Sequence, residues 1–163
     1  MSVIPATGNR PTAMVAFLWL TIAFPFGAVA IADSKPVSVN EIVDLKSVTS
    51  IRVLCTPERE LVRIALTPEL LIANYRSSFE LDRSASAWNE FKRSAEHTTL
   101  EHSGERGDHR WAILFRDFAG RTKHTLAIDR KRRLANLDGK AFNIRGEILS
   151  WLKRQSKLLA GRR

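Results

Sequence analysis

Three imidazoles fall within thirteen residues, each directly after a carboxylate: Glu96-His97, Glu101-His102 and Asp108-His109. Imidazole nitrogen and carboxylate oxygen form a donor set suited to zinc, copper or nickel, and a loop could wrap them around one ion. His97, His102 and His109 are therefore the candidate metal ligands. The spacing follows no familiar ligand signature, such as two histidines four apart on a helix, and no thiolate supplements it. A solvated polar loop accounts for the same residues and is the plainer reading.

Two further groups could do chemistry. On a two-residue alternation His124 shares a strand face with Leu126 and Ile128, which places it at the core or its rim. A carboxylate partner could make it a base, and Asp117 and Asp129 stand at the two ends of that hairpin. Cys55 is the only cysteine, so no intramolecular disulfide can form. A histidine between 97 and 124 could activate it, but residues 53–57 end a strand and show no small-residue elbow or oxyanion loop. A buried structural thiol is favoured.

The strongest chemical signal is charge. The chain carries 26 Lys and Arg against 17 Asp and Glu, a formal net charge of +9. Many of the cations crowd one region: Arg121 and Lys123, then Arg130, Lys131, Arg132 and Arg133 in succession, with Arg116, Lys140 and Arg145 nearby. A positive sheet face or edge attracts polymers of phosphate or carboxylate in a salt-dependent way. The competing explanation is edge protection, because exposed Lys and Arg block strand-to-strand aggregation. Nucleic acid is a poor expectation, since no aromatic stacking pattern is interleaved with the charges. Trp111 and Phe115 read as core.

Glycine-rich phosphate loops, paired-carboxylate motifs, a Ser-His-Asp spacing and CxxC are all missing from the sequence, so no cofactor is expected. The favoured function is a small non-catalytic binding protein. Its ligand-binding residues would be Arg121, Lys123, Arg130, Lys131, Arg132 and Arg133, and its partner an acidic protein or an anionic envelope polymer. A metal-binding protein or metal-dependent enzyme using residues 96–109 is the alternative.

Where the protein works is set by its first 32 residues. Arg10 is their only charged side chain, and residues 13–26 read AMVAFLWLTIAFPF. Pro25 and Gly27 break that apolar run, and Ala28, Ala30 and Ala32 supply two Ala-x-Ala sites. This is the pattern of a cleavable secretory signal, with residues 1–32 removed and 33–163 forming a single basic domain. Contact with a membrane would then be transient, through the signal alone. An uncleaved anchor would need about 20 apolar residues, which the segment only just reaches. A lone cysteine and no glycosylation sequon fit a periplasmic or secreted protein of bacterial type.

The elements that must position these groups follow from periodicity. Residues 39–45 allow a short helix. Residues 48–55 and 61–66 alternate and are joined by the turn-like residues 56–60, which suggests a hairpin. Thr67-Pro68-Glu69 starts a short helix with a hydroxyl cap, proline at the first position and an acid on the first turn. Residues 75–82 alternate as a strand. Asp82 or Ser84 is expected to cap a helix through His97, with Trp88, Phe91 and Ala95 inward. Residues 96–110 look like the longest surface loop. Strands are expected at Trp111 to Phe115, His124 to Ile128, residues 134–137 and residues 140–144, the last two flanking the hairpin signal Asp138-Gly139. Residues 145–159 form an amphipathic helix with Ile148, Trp151, Leu152, Leu158 and Leu159 on one stripe. The fold class is α+β: an antiparallel sheet, a hairpin plus a C-terminal meander, covered on one face by two or three helices.

Overall fold

A computed structural model describes residues 35–57 and 64–160. These belong to one compact unit, Ala32–Arg163. The expected signal segment and the side chains of Leu158 and Leu159 lie outside the described residues.

The fold is α+β, as the alternation patterns imply. In chain order the elements are β1 (Val37–Ser38), α1 (Val39–Ile42), β2 (Ser50–Cys55), α2 (Pro68–Asn74), β3 (Ser77–Asp82) and α3 (Ala87–Glu96). Then come β4 (Thr98–His102), β5 (His109–Arg116), β6 (Thr122–Asp129), β7 (Leu134–Leu137), β8 (Lys140–Gly146) and α4 (Glu147–Ala160). The strands form one sheet in the order β1-β4-β8-β7-β6-β5-β2-β3. Every neighbouring pair is antiparallel.

β5 reads HRWAILFR, and its residues from His109 to Phe115 are all buried. It is apolar on both sides because both faces of the sheet are covered there. Trp111, Ile113 and Phe115 join the main core with Ile51, Val53, Leu126 and Ile128. Above them lie Val39, Trp88, Phe91, Ile148, Trp151 and Leu152, so α1, α3 and α4 cover this face. Phe91 is the hub of that layer. Its ring centroid lies 5.7 Å from Trp88, 5.0 Å from Trp151 and 6.1 Å from Phe115, tilted contacts that suit the ring quadrupoles.

Ala112 and Leu114 point the other way and pack with Leu54, Leu66 and Leu71, placing α2 on the opposite face. That helix starts as the residues dictate: the Thr67 hydroxyl accepts from the Leu70 amide, and Pro68 takes a position whose N–H would be unpaired in any case.

Three expectations need correction. β2 does not form a hairpin with residues 61–66, because β3 and β5 occupy its two edges; residues 61–63 lie outside the described residues. The segment 96–110 is not one long loop: it contains β4, and only residues 103–108 connect it to β5. β4 escapes an apolar reading because Thr98 fills a core position. Its hydroxyl donates to the Ser94 carbonyl at 2.6 Å and accepts from the Ile148 amide at 3.1 Å, so burial costs it no hydrogen bond. α3 begins at Ala87 rather than at an Asp82 or Ser84 cap; the Asp82 carbonyl instead accepts from Ala85 in a turn. The short helix expected within residues 39–45 forms as α1 over four residues, is capped by Ser38, and follows a two-residue strand that pairs with β4.

The β7–β8 turn forms where expected. Asp138 has φ 51 and Gly139 φ 86, the left-handed pair of a type I′ turn, whose twist matches that of the flanking strands. Gly146, at the junction of β8 and α4, is required for a different reason. A Cβ there would stand 2.3 Å from the His97 carbonyl oxygen and 2.5 Å from the Thr98 Cα.

Candidate anion-binding turn

The six cations singled out from sequence do not form one patch. Arg121 and Lys123 lie at the start of β6, and residues 130–133 follow its end. A strand of this length separates them by about 25 Å at the usual rise of ~3.3 Å per residue. Arg121 is also engaged locally: its Nε donates to Asp117 Oδ2 at 3.1 Å, and its amide to Asp117 Oδ1 at 2.9 Å.

The four consecutive cations are held by one buried carboxylate. Asp129 is 5% exposed. Its Oδ1 accepts from the Arg133 amide at 2.7 Å and the Leu134 amide at 2.9 Å, and its Oδ2 from the Lys131 amide at 3.0 Å. The Asp129 carbonyl accepts from Arg132, which adopts φ 56. With its amides bound inward, the turn directs Arg130, Lys131 and Arg133 into solvent, and Arg132 is half-buried.

Neighbouring segments lock this turn in place. The Arg130 amide donates to the Asp108 carbonyl, and the Ile144 amide to the Arg133 carbonyl. Asp108 in turn ties down the loop before α2: its Oδ1 accepts from the Leu66 amide at 3.0 Å. Its Oδ2 accepts from Arg110 Nε at 3.0 Å and Nη2 at 2.8 Å, and Arg110 is 2% exposed. Such charge-assisted contacts keep a buried guanidinium compensated. Two cations beyond those six stand beside the turn: Arg145, which the charge pattern places nearby, and Arg106, which it does not. Arg106 precedes Gly107, whose Cα hydrogen points at Asp129 so closely that a Cβ would come within 2.6 Å of the Asp129 Cβ. Arg145 follows Ile144 on β8 and is exposed. Strand pairing, which spacing along the chain does not show, brings them there.

The candidate metal ligands are spread out. His97 is the C-cap of α3, and its Nδ1 faces Glu147 at 3.5 Å. His102 ends β4, five residues further along, and stacks on Phe142 with centroids 4.6 Å apart. His109 opens β5, with β8, β7 and β6 between it and β4 in the sheet; three intervening strands mean about 19 Å at the usual spacing. Among the described residues no group of three or more His, Cys, Asp or Glu side chains is gathered to hold a metal ion.

His124 does find a carboxylate, but it is neither Asp117 nor Asp129. Its Nδ1 lies 2.6 Å from Asp138 Oδ2, while Asp138 Oδ1 accepts from the Thr125 amide at 2.7 Å. Both side chains are partly exposed, and the pair closes the type I′ turn. Cys55 is buried in β2 between Ser77 and Trp111. Among the described residues no helix is long and apolar enough to cross a membrane.

Three carboxyls in this framework titrate low. For Asp108, burial raises the pKa, but the Leu66 amide and the bond and charge of Arg110 together bring it below the usual range. Asp117 is lowered chiefly by the Arg121 amide, and Glu69 by its own amide and the Thr67 hydroxyl. A carboxyl whose folded pKa lies below its unfolded value stabilises the fold above the unfolded pKa, and that contribution is lost as pH falls through the folded one. Stability is therefore expected to fall on acidification below about pH 4. Asp108→Asn should lower the unfolding free energy at neutral pH and flatten this acid limb in urea titrations. An unchanged acid limb would show that Asp108 plays no part in it.

Comparison with family models, with curated proteins and with solved structures finds no match.

Proposed function

We propose that this chain is a small exported, non-catalytic binding protein whose basic end engages a polyanion: an acidic protein or an anionic envelope polymer. Export rests on the signal-like residues 1–32, and places the protein in the periplasm or outside the cell. Binding rests on a single observation: four consecutive cations on a turn that Asp129 holds rigid through three main-chain amides. Preorganised cations lose little freedom when a polyanion docks, and their contacts displace its counterions. Arg106 and Arg145 widen the positive surface at the same end of the sheet. Arg121 and Lys123, at the far end of β6, form a separate group.

The reading is tested by measuring binding to poly-glutamate and to a purified anionic envelope polysaccharide across a salt series. Reversing Arg130, Lys131, Arg132 and Arg133 to glutamate is expected to weaken binding at least about tenfold and to flatten the salt dependence. The pair Arg121→Glu and Lys123→Glu, at the other end of β6, should leave affinity nearly unchanged. Preference for one polymer identifies the partner class. Equal binding by the wild type and the fourfold variant would refute the basic end as the site.

A further inference from the structure

Residues 103–108 must carry the chain from β4 to β5, across the strands β8, β7 and β6 that lie between them. Their path encloses a cleft of about 420 Å³ between this loop, the start of α2 and the β7–β8 hairpin. On the hairpin side it is lined by Ala135, Asn136, Gly139 and Ala141. Gly107 lets the loop lie close, since any side chain there would collide with Asp129.

The chemistry of the walls contrasts with the rest of the molecule. In a chain of net charge +9, the cleft collects Glu69, Glu105 and His109, with Arg106 as its cation. His109 is 5% exposed, and its Nδ1 lies 3.0 Å from the Leu66 carbonyl oxygen. A carbonyl can only accept, so Nδ1 carries the hydrogen and a neutral ring presents a lone pair at Nε2. Among the described residues Nε2 has no hydrogen-bond partner, although the side chain lines the cleft. An imidazole fixed through Nδ1 leaves Nε2 as the nitrogen that can accept from a ligand in the cleft. Glu69 lines the same cleft, and its own amide and the Thr67 hydroxyl favour its ionised form.

We propose that this cleft binds a small zwitterion, an ammonium and a carboxylate on one short skeleton, as in a free α-amino acid or a dipeptide. The ammonium has three donors, and Glu69, Glu105 and His109 Nε2 are three acceptors. The planar fork of Arg106 suits the ligand carboxylate. The volume falls within the range of small-molecule sites and admits a dipeptide without rearrangement of the sheet. Arg106 is shared with the proposed polyanion surface, but the cleft's ligand needs none of residues 130–133, so the two activities are separable by substitution there.

The test is a titration of the full mature chain with L-alanine, other free L-amino acids and L-alanyl-L-alanine, followed by the His109 imidazole resonances. Alaninamide, which lacks the carboxylate, and N-acetylalanine, which lacks the ammonium, are the controls. At least one zwitterion is expected to give a saturable shift, and capping either end should weaken it by about tenfold or more. Glu69→Gln, an exposed position, should weaken zwitterion binding to a similar degree in a chain that circular dichroism shows to be folded. The fourfold variant at residues 130–133 should bind zwitterions as the wild type does, whatever its effect on polyanions. No saturable shift with any zwitterion up to ~10 mM, or equal binding of the capped compounds, would overturn the assignment.

Discussion

Phe91→Ala is expected to lower the unfolding free energy by about 4 kcal/mol, the middle of the range for phenylalanine truncations in cores. Phe91 is 0% exposed, so all the apolar area it loses was withdrawn from water. Its ring meets Trp88, Trp151 and Phe115, which belong respectively to α3, α4 and β5. Those three elements are covalently remote and cannot easily close around the vacated volume. The cavity cost therefore adds to the transfer cost, and each aromatic contact contributes about 0.5–1.5 kcal/mol beyond area. Against a typical stability of roughly 5–15 kcal/mol, this is enough to shift the urea midpoint far down with little change in slope. Phe91→Leu refills most of the space and should cost only about 1 kcal/mol. A loss under about 1.5 kcal/mol for the alanine variant would mean that α3 and α4 do not share one packed layer over the sheet.

The parts of this fold that sequence alone anticipates are those in which one residue's chemistry determines its local conformation. Thr67-Pro68 begins α2, and Asp138-Gly139 turns β7 into β8, because a cap and a left-handed pair have few other uses. The alternation of Trp111, Ile113 and Phe115 likewise marks β5. The failures occur where the partner lies far off in sequence. β4 carries the polar run Thr98, Thr99, Glu101 and His102, and it is a strand because β8 and β1 pair with it. Residues 61–66 alternate well enough to suggest a hairpin, yet β2 already has a neighbour on each side. Alternation reports a half-buried surface; it does not say which strand supplies the other half.

The candidate site divides in the same way. Four adjacent cations stay together because a turn keeps them together, whereas Arg121 and Lys123 are removed from them by the length of β6. The three acid-histidine pairs are close in number but end up on a helix cap, at the end of an outer strand and at the start of a central one. Arg106 and Arg145 reach the basic end only through the Gly107–Asp129 approach and the register of β7 with β8. Neither relation leaves a trace in local composition. Asp129 itself looks like an ordinary strand-end acid until its three amide partners are seen.

That carboxylate links fold to proposed function, and Asp129→Ala is expected to cost about 3 kcal/mol. Removing it leaves the amides of Lys131, Arg133 and Leu134 without their acceptor, at a position where the side chain is almost wholly buried. Each unsatisfied amide costs about 1–3 kcal/mol when water cannot replace the lost bond, and the exposed side of the turn lets water recover part of that. The variant also removes a negative charge from beside four consecutive cations, so their mutual repulsion adds to the loss. Asp129→Asn separates the two contributions. Its single carbonyl oxygen can still serve Arg133 and Leu134, but its amide nitrogen would face the Lys131 N–H, so roughly half of the penalty should remain. For polyanion binding the expected order differs. Asp129→Ala keeps every cation and gains net positive charge, yet it frees the turn to move, so any affinity it retains should come with a larger entropic cost in calorimetry. Should both variants unfold like the wild type, Asp129 would be dispensable to the turn, and the rigidity on which the proposed binding mode depends would have to come from elsewhere.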